Sequence, residues 1–403
     1  MAFDIVIVGG GLSGLALAAE LAQVEFSRLR VLVLEQRQSY ARDRTWSYWK
    51  TPQSPAHRYS HLERQHWSQW RVQQGERIHK HGSPALANDG KTASYCTVDG
   101  DAFYSAARQA ISQSSHVEVR LGTSVREISG GETPNVVTHE GEVIPASWVF
   151  DARPPLKSNR GGLVQQFLGY EIKTDHDVFD ADTVDLMHFM PSTVGLHFFY
   201  VLPYSPRNAL IETTWISPDS LKPDFESELR QFITTLAGPA DYKVQYEEMG
   251  SLNLNLNPGR DASNHALHLA TLGRGAGTLR ASTGYAFLET LTHTLDITAS
   301  LKKQIVSGDL SAWLPPAFKR PELDQWMDTV FLKVLARDWS KGSEYFMQLF
   351  ERVDADTMVA FMSGRASWQQ RLSIAGALPS LPFAAQALSA WINRAPGFGK
   401  AKR

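Results

Sequence analysis

The 403-residue chain is poor in several things that would narrow its function quickly. It has a single cysteine, Cys96, so no internal disulfide is possible, and a reducing compartment fits. That cysteine reads as a small buried residue rather than a nucleophile. No run reaches the ~18 uninterrupted apolar residues of a membrane span. The first apolar run is too short for a signal peptide, and we expect none. No repeat or low-complexity stretch is visible, and no metal-ligand spacing, so no metal is expected. A formal net charge of −2 gives no reason to invoke nucleic acid. What remains is an ordinary globular composition, 43% hydrophobic and 20% charged, with length enough for two or three lobes.

What is present begins near the start. The apolar run Asp4–Val8 leads into Gly9-Gly10-Gly11-Leu12-Ser13-Gly14, and Leu15–Leu21 follows with helical character. A second apolar run, Val31–Leu34, ends on Glu35, 21 positions beyond Gly14. Strand, glycine turn, helix, strand and acid in this order form the dinucleotide-binding signature. Gly9 serves the tight turn, Gly11 lets the backbone approach a pyrophosphate, and Gly14 brings helix and strand close together. Leu12 and Ser13 open the helix, whose free N–H groups favour phosphate. Glu35 is placed to accept from a ribose. The position of the motif favours FAD over NAD.

Farther along, Thr97–Ile111 reads as a helix capped by Asp99 or Asp101. Strands are expected at Val117–Leu121, at Val136–Thr138 and at Trp148–Arg153. The last of these returns to the nucleotide sheet and brings Asp151 to its carboxyl edge. Strand-like runs at Phe167–Ile172, His197–Leu202 and Ala209–Thr214 predict an antiparallel sheet roofing a cavity. Phe225–Ala237 is helical in pattern, Leu267–Gly273 is a strand entering a glycine-rich turn, and the chain is mostly helical from Ala286. Leu372–Asn393 carries no charge, contains Pro379 and Pro382, and precedes Lys400, Lys402 and Arg403. Two readings stand for it: a segment lying against a bilayer, or a buried helix with a basic tail.

Together these runs resemble the bacterial lycopene cyclases over most of the length. The resemblance rests on the glycine motif, Arg44-Thr45-Trp46-Ser47, Phe199-Tyr200-Val201-Leu202-Pro203 and Leu210-Ile211-Glu212-Thr213-Thr214. It extends to Gly273-Arg274-Gly275-Ala276-Gly277, Ser282-Thr283-Gly284-Tyr285 and Phe361-Met362-Ser363-Gly364-Arg365. The middle motifs are the specific ones. The implied fold is α/β: a Rossmann-type FAD-binding domain of the glutathione-reductase/p-hydroxybenzoate-hydroxylase kind, an antiparallel substrate domain and a helical C-terminal region. We divide the chain accordingly. Residues 1–50, 95–160 and 262–300 form the FAD domain, 51–94 and 161–261 the substrate domain, and 301–403 the helical region.

The resemblance implies redox-neutral closure of β-ionone rings on lycopene, giving β-carotene by way of γ-carotene. It implies FAD held reduced by NADPH or NADH, and peripheral association with the cytoplasmic face of a membrane. Glu212 is then the acid/base, and apolar neighbours would raise its pKa; read without the motif, it is equally a solvent-facing strand residue. Asp151, Glu171 and Glu289 are lesser candidates, better suited to caps or ion pairs. Expected cofactor contacts are Gly9, Gly11, Leu12, Ser13, Gly14, Glu35, Arg44, Asp151, Gly273, Gly277, Thr283, Gly284 and Tyr285. Expected pocket residues are Trp46, Phe199, Tyr200 and Trp215, with core packing as the plain alternative.

The chain departs from the family at Ala102, where an arginine is usual, and at Arg274 and Arg280, where small or apolar residues are common. The competing readings are an FAD-dependent monooxygenase and an isoprenoid or carotenoid reductase. Leu272-Gly273-Arg274 lacks the Gly-Asp motif of the aromatic hydroxylases.

Overall fold

A computed structural model describes residues 3–51, 54–82, 93–155, 162–238, 242–254, 267–307 and 310–392. The basic tail Lys400, Lys402 and Arg403 lies outside them.

The nucleotide sheet has Phe3–Val8 at its centre, parallel to Val31–Leu34 on one side and to Val143–Asp151 on the other. Val117–Arg120 extends the first side, and Leu269–Thr271 pairs in parallel with Val143–Asp151. The central strands are largely apolar because both faces are covered. Leu12–Leu21 packs there with Gly100–Ser112 and the long helix Phe287–Ser307, through Leu15, Leu17, Phe103 and Leu291. The helix expected from Thr97 starts only at Gly100, because Ser94–Asp99 is taken by strand pairing.

The second layer is a seven-stranded sheet in which Tyr242–Asn253, Leu163–Thr174, Asn208–Pro218, Leu196–Ser205 and Thr183–Met190 follow one another antiparallel. It is not antiparallel throughout: Gln69–Gln74 adds to Thr183–Met190 in parallel. One face rests on the helix Phe225–Ala237 through Leu229, Phe232 and Ile233. The other faces the nucleotide domain and the C-terminal helices. A small third sheet, Thr45–Lys50, Ser94–Asp99 and Glu63–Trp67, bridges the two layers.

Glu322–Arg337, Gly342–Arg352, Ala355–Met362, Trp368–Ala377 and Ser380–Ile392 form the helical end. Of the two prolines expected to break the uncharged segment, only Pro379 separates helices. Pro382 sits in the first turn of the next one, where its missing N–H leaves no partner unsatisfied. Two buried ion pairs tie this end down. Arg371 reaches Asp324 at 2.5 Å, and the fully enclosed Arg280 pairs with Asp328 at 3.2 Å while stacking over Phe361. Removing one member strands the other charge, typically at a cost of about 3–5 kcal/mol. Arg280, a departure from the family pattern, is thus a brace between the Thr-Gly-Tyr turn and the helices. Among the described residues no helix is long and apolar enough to cross a membrane.

Candidate active site

The glycine turn is built as its spacing predicts. Gly9 has φ +102, a conformation other residues avoid. A Cβ at Gly14 would lie 1.9 Å from the Gly9 carbonyl oxygen, whereas one at Gly11 would meet nothing within 4 Å and would point into open space. That space is a cleft of about 570 Å³ lined by Gly9, Gly11, Leu12, Ser13, Glu35, Arg44 and Gly273 among others. Glu35 accepts from the Gly10 N–H at 2.7 Å and the Arg37 N–H at 2.8 Å. Burial pulls its pKa up, but Arg37 and these bonds outweigh it and keep the carboxyl ionised. A ready acceptor, a bare helix N-terminus and a glycine opening outward fit a dinucleotide.

Three expected cleft residues, Gly14, Asp151 and Gly277, stand aside. Asp151 turns its carboxyl to Arg153 at 2.8 Å, and the neighbouring Ala152, Arg153 and Pro154 line the cleft instead. Gly277, at φ +86, closes the turn behind Gly273–Ala276 and lines no part of the cleft.

A second cavity of about 460 Å³ adjoins the cleft, sharing Asp43, Arg44, Trp46, Arg274 and Ala286 with it. Thr283, Gly284 and Tyr285 line this cavity rather than the cleft. Arg274 is mostly enclosed, and its guanidinium has no ion-pair partner among the described residues; burial and the nearby Arg44 disfavour its charge. Arg44 pairs with Asp43 at 2.9 Å. Ala102, on the helix Gly100–Ser112, lines neither space.

Strand register decides the rest of the wall. Gly169 stands opposite Glu212 on one side and Glu248 on the other, and Glu212 in turn stands opposite Tyr200. Glu248, Gly169, Glu212 and Tyr200 therefore form one row across four strands, facing the cavity. A Cβ on Gly169 would come within 2.8 Å of Glu212 Cγ, so the glycine makes room for the two carboxyls between which it lies. Both carboxyls line the cavity. Burial first, then the proximity of Glu248, raise the pKa of Glu212 well above the ordinary carboxyl value. Glu212 is partly accessible only because the space it lines is hollow. Glu248 is 4% exposed and accepts from Thr45 Oγ1 and from the Tyr246 hydroxyl, both at 3.0 Å.

Three phenols, Tyr95 buried and Tyr200 and Tyr285 partly so, continue the polar line. The Tyr200 hydroxyl is hydrogen-bonded to those of Tyr95 at 2.7 Å and Ser47 at 2.9 Å, donating to one and accepting from the other, and the Tyr95 and Tyr285 hydroxyls are 2.9 Å apart. Around them the walls are apolar, with Trp46, Leu186, Phe198, Leu202, Ile216 and Leu252.

Phe199 and Trp215 do not belong to this wall. Adjacent strand residues face opposite ways, so Phe199 turns from Tyr200 to stack on Phe232 at 3.8 Å between ring centroids. Trp215, three residues from Glu212, lies on that same far face, stacked on His197 with its N–H donated to Glu228. Of the apolar neighbours expected to raise the pKa of Glu212, Leu210 shares its face while Ile211 and Trp215 lie on the far one; burial and Glu248 raise it. The lesser acid candidates are ion-pair partners. Burial alone would raise the pKa of Glu171, but Arg64 and Arg42 bring it to about 2, and Glu289 pairs with Arg320 at 3.4 Å. Burial pushes the Cys96 thiol up to about 12, so it is no nucleophile. Sequence reasoning missed Glu248, Gly169 and Tyr95. The alternation along Tyr242–Asn253 pointed to Glu248, but only its pairing partner places it beside Glu212.

A prediction tests the row directly. Gly169→Ala should leave the fold and the dinucleotide cleft intact while displacing the Glu212 carboxyl, lowering turnover by up to about 10²-fold. Steady-state rates beside thermal unfolding of the same preparation would check it; wild-type turnover would mean that the carboxyl tolerates the added methyl.

Parallel sheet, glycine turn, an acid at the end of the second strand and an attached second sheet define a class: the α/β fold of the FAD-dependent oxidoreductases, monooxygenases and halogenases. Among solved structures, the chain is similar to a geranylgeranyl bacteriochlorophyll reductase-like protein from Thermoplasma acidophilum. That match has a TM-score of 0.59 and 14% identity, covering 97% of this chain and 99% of the other. The halogenase PltM, solved with FAD, matches with a TM-score of 0.59 at 12% identity over 97% and 91% of the two chains. The family model described as lycopene cyclase protein matches residues 4–388, and the chain belongs to that family. Among curated proteins it is 26% identical to a lycopene beta-cyclase of Paracoccus sp. (strain N81106 / MBIC 01143), over 95% of each chain.

Proposed function

We propose that the protein is a lycopene β-cyclase that adds and removes one proton at each ring it closes, with no net redox change. The carrying observation is a buried carboxyl, Glu212, whose pKa is raised well above the usual range, in a largely apolar cavity contiguous with a dinucleotide cleft. Membership of the lycopene cyclase family supports the substrate.

Ring closure asks little else of the protein. The Glu212 carboxylic acid delivers its proton to C2 of the terminal C1=C2 bond, leaving a tertiary cation at C1. The C5=C6 bond attacks C1, moving the charge to C5, and loss of the C6 proton gives the β-ring. Water must be kept out, which the apolar walls do. Trp46, Tyr200 and Tyr285 offer π-faces to the cation.

The cleft fits FAD. Gly9, Gly11, Leu12, Ser13 and Glu35 would hold its phosphates and ribose, with Arg44 and Arg274 at the junction with the cavity. Reduced FAD, kept so by NADPH or NADH, would supply negative charge near the cation. The two arginines suit an anionic ring there.

A third cavity, about 330 Å³ and strongly apolar, lies among the C-terminal helices and shares Ser282, Thr283, Phe346 and Met362 with the active-site cavity. Ile374, Leu378, Phe383 and Ala387 line it, while Leu381 (87%) and Leu388 (60%) of the same helical pair are exposed. This end would lie on the inner face of the membrane and take up the hydrocarbon. The double variant Leu381→Glu/Leu388→Glu should lose more than about tenfold in liposome affinity, since each buried leucine is worth roughly 1.5–3 kcal/mol. Unchanged co-sedimentation with vesicles would remove these helices from the contact.

The reaction itself is tested by incubating lycopene with reduced holoenzyme without oxygen. The cyclase reading predicts products of unchanged mass and no stoichiometric NADPH consumption. Added hydrogens would indicate a reductase, and an oxygen-dependent gain of sixteen mass units, a monooxygenase.

A further inference from the structure

We infer that Glu248 is a second catalytic carboxylate, the group that takes the C6 proton and so decides that the new ring is of the β type. The inference rests on the cyclase reading above.

Glu248 lines the same cavity as Glu212, in register with it across Gly169. The two groups differ in what surrounds them. Thr45 and Tyr246 both donate to Oε2 of Glu248, so it is set up as the acceptor of the pair. Glu212 stands opposite Tyr200 instead, and burial and the nearby Glu248 favour its protonated form. Two carboxyls held in unlike surroundings are the usual way a site separates its acid from its base.

The protons balance within the pair. Glu212 O–H breaks as C2–H forms, and the pair then carries two negative charges against one carbocation. The C6–H bond breaks, its electrons form C5=C6, and the proton bonds to a Glu248 oxygen. Proton transfer from Glu248 to Glu212, its neighbour across Gly169, restores the starting state, with no outside acid, base or redox partner. Because the acceptor is fixed on one wall, it selects which hydrogen leaves. Without it the C5 cation can lose a C4 hydrogen and give an ε-ring.

The experiment is product analysis with reduced holoenzyme of Glu248→Gln. Its rate should fall by about 10²–10⁴-fold, and ε-rings should rise from a trace to a substantial share of the residual product. Glu248→Asp, which keeps a carboxylate, should recover much of the rate and the β-ring preference. If Glu248→Gln fails to bind flavin, Tyr246→Phe carries the test: it removes one donor to Glu248 and should also raise the ε share. A slow variant making only β-rings would show a structural role and overturn the inference, as would wild-type turnover. A wild-type enzyme that forms no rings at all would overturn the cyclase reading and this inference with it; wild-type cyclisation with unaltered ring type in the variants overturns this inference alone.

Discussion

Glu212→Gln should abolish cyclisation, with a loss of about 10²–10⁴-fold or more, while retaining flavin and fold. The amide is nearly isosteric and fits the same place opposite Gly169, but it has no acidic proton to deliver. The same substitution should raise stability. Burial and Glu248 lift the pKa of Glu212 above its unfolded value, so the native state holds a proton that the unfolded chain releases. The group's contribution is complete below the ordinary carboxyl pKa and is lost as pH rises toward and through the raised value. Glu212→Gln has no such dependence. Its melting temperature should exceed that of the wild type at pH 8, with the gap narrowing toward pH 5. Activity of the wild type should hold through that range and fall only at higher pH, as the raised native value is passed and the acid form is lost. Near-normal turnover in the variant would take Glu212 out of the acid role.

Gly11→Val and Gly14→Val should fail in different ways although they stand three residues apart. At Gly11 an added Cβ meets nothing within 4 Å, because it points into the cleft. The valine variant should fold and melt as the apo wild type does, yet bind FAD more than about 100-fold less tightly, a loss of about 2.7 kcal/mol. At Gly14 the Cβ would lie 1.9 Å from the Gly9 carbonyl oxygen, a backbone atom that cannot step aside. The helix Leu12–Leu21 would be forced off Phe3–Val8, and the variant should not fold stably. Flavin content and thermal unfolding, measured on both, separate the outcomes. Equal flavin content in Gly11→Val and wild type would mean that the pyrophosphate lies elsewhere.

The two sets of glycines show what the sequence made legible. The first motif is local: strand, turn, helix and acid follow one another within 35 residues, so spacing alone marked the turn and its glycines. Gly169 carries no such mark, because its partners Glu212 and Glu248 lie far along the chain and meet it only through strand pairing. The location of Glu212 on a strand was readable, and so was the rule that neighbouring residues face opposite ways. Applied strictly, that rule puts Trp215 across the sheet from Glu212 and allows only one of Phe199 and Tyr200 into the cavity. Asp151 was placed at the correct strand end, but Arg153, two residues on, claims its carboxyl. Arg280 looked like a departure beside the cofactor and is a structural brace, since its partner Asp328 comes from a later helix. Nothing local could announce that.

The claim on which the rest depends is that Glu212 keeps its proton at neutral pH inside the cavity. Infrared difference spectra of the reduced holoenzyme, wild type minus Glu212→Gln, read this directly. At pH 7 the account predicts the carbonyl band of a protonated carboxylic acid in the wild type, absent from the variant and fading only as pH is raised further. A carboxylate band in its place, already present at pH 7, would contradict it.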